Sequence, residues 1–188
     1  MQRPLVSLVL AGAAFFLAQP AAGQSIFRQR GQHANQIEIE VHGTFGLNYY
    51  GRGGGGGFGF GGGARVGIPL LDNGPIPSIN NSLALSLGAD LLYNTYDCGG
   101  GGTRNACVYF TLIPEIMAQW NLYLTPILSV FVEAGVAPVI SFGSSADPFF
   151  FYPGVAIGGR VHFKGGTRLP ALTVRLGFPV GLTVGISF

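Results

Sequence analysis

The sequence predicts an all-β protein, an eight-stranded antiparallel up-and-down barrel that crosses a membrane with its strands. Three observations carry that reading: an apolar composition with very little charge, an apolar/polar alternation of period two in eight successive segments, and an N-terminal export signal. Of the 188 residues, 48% are hydrophobic and only 10% charged, with a mean hydropathy of +0.43. A soluble domain carries roughly 25% charge. Glycine contributes 32 residues. No Gly-X-Y period accompanies them and apolar residues are plentiful, which excludes collagen and a disordered chain. The length fits one domain. The formal charge is +2 with no basic block, so no nucleic-acid partner is expected.

Residues 1–23 read as a cleaved signal peptide. Arg3 precedes an apolar run from Leu5 to Ala18 that is short for a bilayer span, and Ala21-Ala22-Gly23 offers small residues to a signal peptidase. Cleavage after Gly23 leaves Gln24 first, with no Cys for lipidation. The alternative, an uncleaved anchor, fits poorly with a run interrupted by Ser7, Gly12 and Gln19. Residues 24–35 then form a periplasmic N-terminal segment and 36–188 the barrel. The one later stretch near the length of a membrane helix, Leu124 to Phe142, contains Pro126, Glu133 and Pro138 and also reads with period two.

The eight alternating segments follow in order. Ile37, Ile39, Val41, Phe45, Leu47 and Tyr49 oppose Glu38, Glu40, His42, Thr44 and Asn48. Phe58, Phe60, Ala64, Val66, Ile68 and Leu70 oppose Gly59, Gly61, Gly63, Arg65 and Gly67. The third sets Leu83, Leu85, Leu87, Ala89, Leu91 and Tyr93 against Ser86, Gly88 and Asp90, and the fourth sets Phe110, Leu112, Ile116, Ala118, Trp120 and Leu122 against Thr111, Glu115, Gln119 and Asn121. In the fifth, Leu128, Val130, Val132, Ala134 and Val136 oppose Ser129, Glu133 and Gly135, while Phe131 and Val139 weaken the polar face. The sixth opposes Phe151, Val155, Ile157, Val161 and Phe163 to Tyr152, Gly154, Gly158, Arg160 and His162. The last two oppose Leu172, Val174, Leu176 and Phe178 to Thr173, Arg175 and Gly177, and Leu182, Val184, Ile186 and Phe188 to Thr183, Gly185 and Ser187.

Strands can cross lipid only as a closed barrel, and an even count suits up-and-down closure with both ends of the chain periplasmic. Three surface loops rich in Gly and polar residues alternate with inner turns at Asp72 to Ser82, Tyr123 to Pro126 and Lys164 to Pro170; the fourth surface connection is the short turn Pro179-Val180-Gly181. Tyr49, Phe58, Tyr93, Phe110, Phe151 and Phe178 fall at the outer rim and Trp120, Phe163 and Phe188 at the inner rim, as two interfacial girdles. A soluble β-sandwich would not gain from aromatics ringing so many strand ends.

From Gln36 to Phe188 the pattern resembles the small eight-stranded outer-membrane barrels of Gram-negative bacteria, the group that includes the OmpA transmembrane domain and OmpX-like and OmpW-like proteins. The terminal Leu182-Thr183-Val184-Gly185-Ile186-Ser187-Phe188 resembles the strand such proteins present to the barrel-assembly machinery, which makes Phe188 the assembly signal. The resemblance implies an outer-membrane location among phospholipid and lipopolysaccharide. Pro114 and Pro153 depart from it, because they fall inside strands that have no free edge in a closed barrel and so should mark bulges or an irregular rim.

Register arithmetic suggests what fills the lumen. In an antiparallel hairpin, opposed residues share a loop centre, and the pairs Glu40 with Arg65, Arg65 with Asp90, Asp90 with Glu115, Glu115 with Glu133, Glu133 with Arg160 and Arg160 with Arg175 all centre on expected connections. The expectation is one hydrogen-bonded stripe with a charge on seven strands and Gly185 as its eighth member. Such a stripe would be a polar plug, since carboxylates interleaved with guanidiniums offset the cost of burial. Glu115 and Glu133, adjacent and like-charged, leave one of them protonated unless an Arg reaches both. Inward Gly59, Gly61 and Gly63 leave room for Arg65, Tyr152 or another bulky lumen residue.

Cys98 and Cys107 in the second surface loop are expected to form a disulfide, as two Cys in an exported chain most simply do. No cofactor or metal site is expected, and Gly53 to Gly57 lacks the Gly-Lys-Ser/Thr of a phosphate cradle. Nor is an enzyme: His42 and His162 face inward with no Ser two residues away, and His33 precedes the first strand. The function that follows is a lipid-embedded scaffold with a charge-plugged lumen, displaying short loops to an envelope protein partner. The alternative is a narrow channel or a lateral-opening transporter for small apolar solutes.

Overall fold

The computed structural model describes residues 25–48, 57–97, 106–143 and 149–188. Eight strands follow one another: β1 Glu38–Asn48, β2 Gly57–Leu71, β3 Asn81–Asp97, β4 Ala106–Thr125, β5 Leu128–Phe142, β6 Phe149–His162, β7 Ala171–Phe178 and β8 Gly181–Ser187. Each pairs antiparallel with its neighbours in sequence, and β1 pairs with β8, so the sheet closes in the order β1 to β8. Alternation located all eight because a residue of the wrong parity would put a polar group outside or an apolar one inside. The stretch from Leu124 to Phe142 is the end of β4, a turn and β5. Residues 1–23, expected to be a signal peptide, Tyr49, and the loop Gly53 to Gly57 apart from its last residue lie outside the described residues.

Followed strand by strand, the registers return the chain to β1 ten residues further along, a shear of ten over eight strands. Shear and tilt are linked, and a barrel of this kind has strands inclined by roughly 35–45° to its axis. A row of hydrogen-bonded partners therefore spirals upward toward the loops as it goes round. Side chains at one height fall back against the register by about one residue per strand.

The two in-strand prolines occupy breaks in the pairing. Between Leu112↔Ile140 and Ile116↔Val136 the β4–β5 ladder is interrupted, and Pro114 sits there across from Pro138, so two residues without an N–H face each other. Pro153 lies beyond the last β6–β7 pair, Val155↔Phe178, on a stretch of β6 that pairs only with β5. With β7 and β8 only eight and seven residues long against twenty in β4, the wall is lower on their side and Pro153 stands on a local edge.

The outer face is apolar. Ile37, Phe45, Phe60, Leu91, Ile116, Ile157, Leu176 and Phe188 are exposed, Phe151 to 65% and Ile37 to 62%. Among the girdle residues Phe58, Phe110, Phe151, Phe178, Phe163 and Phe188 are exposed, while Tyr93 and Trp120 are half-buried. The rings of Phe45 and Phe58 lie 5.8 Å apart, those of Phe60 and Tyr93 5.2 Å, and those of Tyr93 and Phe110 5.7 Å, so aromatic neighbours run across β1 to β4.

The lumen is filled in three layers. At the loop end Leu92, Ile113, Ala137, Val139 and Val180 form a buried apolar cluster, backed by Phe150 and Tyr152. Val180, in the turn between β7 and β8, folds inward and contributes to that seal. The middle layer is charged. The turn end is closed by the segment before β1, for which the sequence suggested no packing role. Ile26 is buried and its N–H donates to Leu124 O at 3.1 Å; Asn80 N–H donates to Phe27 O at 2.7 Å. His33 stacks on Tyr123 with ring centroids 4.3 Å apart, and Ala34 N–H donates to Thr167 Oγ1 at 2.7 Å. All three inner connections thus hold this strap across the barrel mouth.

Candidate functional site: a belt of buried charge in the lumen

Glu40 and His42 from β1, Arg65 from β2, Asp90 from β3, Glu115 from β4, Glu133 from β5 and Arg175 from β7 meet in the middle layer, all buried. Arg65 ties three strands together. Its Nε donates to Glu115 Oε2 at 2.8 Å, its Nη2 to the same oxygen at 2.5 Å and to Asp90 Oδ2 at 2.9 Å, and Nη1 lies 3.6 Å from Glu40 Oε1. Arg175 joins its own strand to two others. Its Nη1 donates to Glu40 Oε1 at 2.7 Å, and its Nε is 2.8 Å from Glu133 Oε2. His42 bridges the halves, with Nε2 2.8 Å from Asp90 Oδ1 and Nδ1 3.1 Å from Glu40 Oε1. Thr44 Oγ1 donates to Asp90 Oδ1 at 2.5 Å.

The register that creates this belt differs from the expected stripe. Glu40 does oppose Arg65. Arg65 opposes Gly88 and not Asp90, however, and Asp90 opposes Ile113 and not Glu115. Glu133 opposes Gln119 and Ala156, Arg160 opposes Ser129 and Thr173, and Arg175 opposes Gly158 and Thr183. Gly185 opposes His42 and Thr173. The offsets of two to four residues have one cause: loop centres fix which residues could pair if each hairpin were symmetric, whereas the tilt places equal heights progressively off the ladder. Going round from Arg65, Asp90 stands two residues nearer the loops than the ladder partner Gly88, and Glu115, Glu133, Arg175 and Glu40 then step back against the register, so that the belt closes at one height.

One expected contact is replaced. Arg160 sits lower, where Nε donates to Glu38 Oε1 at 2.8 Å and Nη1 to Asn121 Oδ1 at 2.8 Å. The partner of Glu133 is Arg175. Both guanidiniums lie over the ring of Phe131, which is wholly buried, with Arg160 Cζ 4.4 Å and Arg175 Cζ 5.0 Å from its centroid. The residue that weakened the polar face of its strand is thus an apolar ring that receives two cations. Its room comes from Gly158, where a Cβ would overlap the ring. Gly63 likewise makes space for His42 Nε2 and Asp90, and Gly88 for the stem of Arg65; neither serves Tyr152.

Sequence reasoning missed His42, Glu38, Thr44 and Phe131 as members of the lumen network. His42 and Thr44 shared the inward parity of Glu40, which was the available signal. It also missed a Ser–His contact: Ser129 Oγ lies 2.9 Å from His162 Nε2, because the two meet across the β5–β6 ladder and not two residues apart in sequence. Ser129 is wholly buried and does not line the small chamber of about 40 Å³ that Glu38, Ser82, Asn121, Tyr123, Arg160 and His162 surround beneath the strap. Among the described residues no group of three or more His, Cys, Asp and Glu side chains is arranged to hold a metal ion. Cys107 lies in β4; its expected pairing with Cys98 falls outside the described residues, as Cys98 does. Phe188 follows β8, and its N–H donates to Ile39 O at 2.8 Å, fastening the chain end to β1.

The fold and lumen define the class: a closed eight-stranded antiparallel barrel, apolar outside and filled inside, consistent with the small outer-membrane type. Compared with protein-family models and with curated proteins, the sequence matches none.

The ion pairs make a direct prediction for thermal unfolding in detergent. Arg175→Ala leaves Glu133 buried without its cation and Glu40 with only the more distant Arg65 and His42, and should cost about 3–5 kcal/mol. Glu133→Gln with Arg175→Gln should be milder than the sum of the single changes, while Glu133→Gln with Arg160→Gln should add within about 0.5 kcal/mol. Coupling to Arg160 and none to Arg175 would show that the belt is connected differently.

Proposed function

We propose that this chain is an integral outer-membrane barrel of Gram-negative bacteria whose lumen is closed by its own side chains, a non-catalytic scaffold that displays surface loops to an envelope partner. The observation that carries the reading is the inversion of the usual protein: Phe151, Ile37 and their neighbours are exposed around the wall while Asp90, Glu133 and Arg175 are buried within it. Water favours the opposite arrangement, and lipid favours this one. The resemblance to the OmpA, OmpX and OmpW group is of this kind, of pattern and architecture. Phospholipid and lipopolysaccharide would surround the wall, and the barrel-assembly machinery would receive the strand ending at Phe188.

The scaffold reading is supported by the three filled layers, because ions crossing the barrel would have to pass the apolar cluster, the paired belt and the strap. One observation favours lateral entry of a small apolar solute instead: among the described residues, β6 before Val155 has no partner on its β7 side, and the apolar cluster lies behind it. Refolded protein in a planar bilayer should therefore be electrically silent. Stepwise conductance would overturn the plugged scaffold. Silence combined with protein-dependent passage of an apolar solute into vesicles would favour the lateral route.

Topology makes a second prediction. With the strap and inner turns periplasmic, Cys98 and Cys107 lie at the cell surface and pair with each other. A membrane-impermeant thiol reagent should label intact cells only after reduction. Labelling that requires a ruptured outer membrane would invert the orientation.

A further inference from the structure

The turn end of the barrel carries an unevenly distributed set of charges. Arg28 and Arg30 on the strap and Lys164 and Arg168 in the β6–β7 connection are all exposed. Among the described residues outside the lumen at this end, the acid is Asp72, and it is bonded to Asn35. Arg30 Nε donates to the neutral Asn73 Oδ1 at 3.1 Å. The lumen cations Arg65, Arg160 and Arg175 each contact a carboxylate, whereas these four form an excess.

Their position relative to the apolar wall identifies what they meet. Phe163, exposed to 59%, immediately precedes Lys164, and exposed Leu70, Leu71, Ile127 and Phe188 mark the same rim. Beyond it, His33, Lys164, Gly165, Gly166 and Arg168 line an open cleft of about 500 Å³. Cations directly past the end of an apolar band stand at the depth of lipid phosphates, where each adds to the attraction of an anionic surface. We propose that this collar binds phosphates of anionic phospholipids in the leaflet that the turn end enters, the acyl chains lying along the apolar rim, as beside Phe163. A free phosphate would satisfy the cations alone; a phospholipid also covers the exposed rim. The inference rests on the membrane-spanning reading above.

Protein extracted in neutral detergent is mixed with equal amounts of phosphatidylglycerol and phosphatidylcholine, and retained lipids are counted by native mass spectrometry. Phosphatidylglycerol should be enriched about fivefold or more. Arg28→Gln with Arg30→Gln, and Lys164→Gln with Arg168→Gln, should each lower the enrichment, and all four together should abolish it, with heat-modifiable mobility confirming that each variant is folded. The two double variants serve if the quadruple one fails to fold. Equal retention of the two lipids, or displacement of phosphatidylglycerol by excess inorganic phosphate, would overturn the proposal. Flotation with vesicles after an alkaline wash separates the two failures: protein that inserts but shows no preference contradicts the collar alone, and protein that inserts into neither lipid contradicts the spanning reading on which it rests.

Discussion

Closing eight strands with a shear of ten is the constraint on which the rest of this structure depends. Closure assigns every strand residue to the wall or the lumen and, apart from the stretch of β6 before Val155, removes the free edges that lipid cannot solvate. The shear then sets how far the strands lean and which side chains meet at one height. Glu40, Arg65, Asp90, Glu115, Glu133 and Arg175 come from six strands and make contact because their offsets from the ladder match that lean. A different shear with the same sequence would separate Arg65 from Glu115 and Arg175 from Glu133.

Two guanidiniums, four carboxylates and an imidazole in so narrow a lumen are costly to desolvate, and contact alone does not guarantee that they add stability. What the arrangement does supply is specificity of assembly. A β-strand slipped by one residue turns every side chain to the other face, and one slipped by two keeps its parity but loses its ion partners. The alternation cannot detect the second error. The multidentate contacts of Arg65 and Arg175 can, since each guanidinium reaches carboxylates from more than one other strand. The inward glycines support this by space and not by flexibility: Gly88 admits the stem of Arg65, and Gly158 admits the ring of Phe131 over which Arg160 and Arg175 both lie.

The barrel, the strand order and the list of inward charges were legible in the sequence because all three depend on parity, and parity survives without knowledge of tilt. The pairing was not. Glu133 and Arg160 share a symmetric loop centre, yet Arg160 is bound by Glu38 and Glu133 by Arg175, which no hairpin-by-hairpin argument connects. Pro114 and Pro153 signalled a bulge or an irregular rim, but what makes room for them, Pro138 across from the first and the early end of β7 beside the second, depends on the pairing. The strap was illegible for a different reason. Residues 25–36 lack periodicity, and their fit comes from single contacts such as His33 on Tyr123, which only the closed barrel mouth creates.

The central claim is that the lumen charges are locked in water-excluded ion pairs set by the shear. Guanidinium Nε–H resonances of the folded protein in detergent micelles, observed by nitrogen-edited NMR, test it most directly. The account predicts that the Nε–H of Arg65 and Arg175 persist at neutral pH and exchange slowly, with Arg65 perturbed selectively by Glu115→Gln and Arg175 by Glu133→Gln. Signals lost to rapid exchange with water, or an Arg175 signal that responds to no carboxylate on β1 or β5, would show a hydrated and mobile lumen and contradict the account.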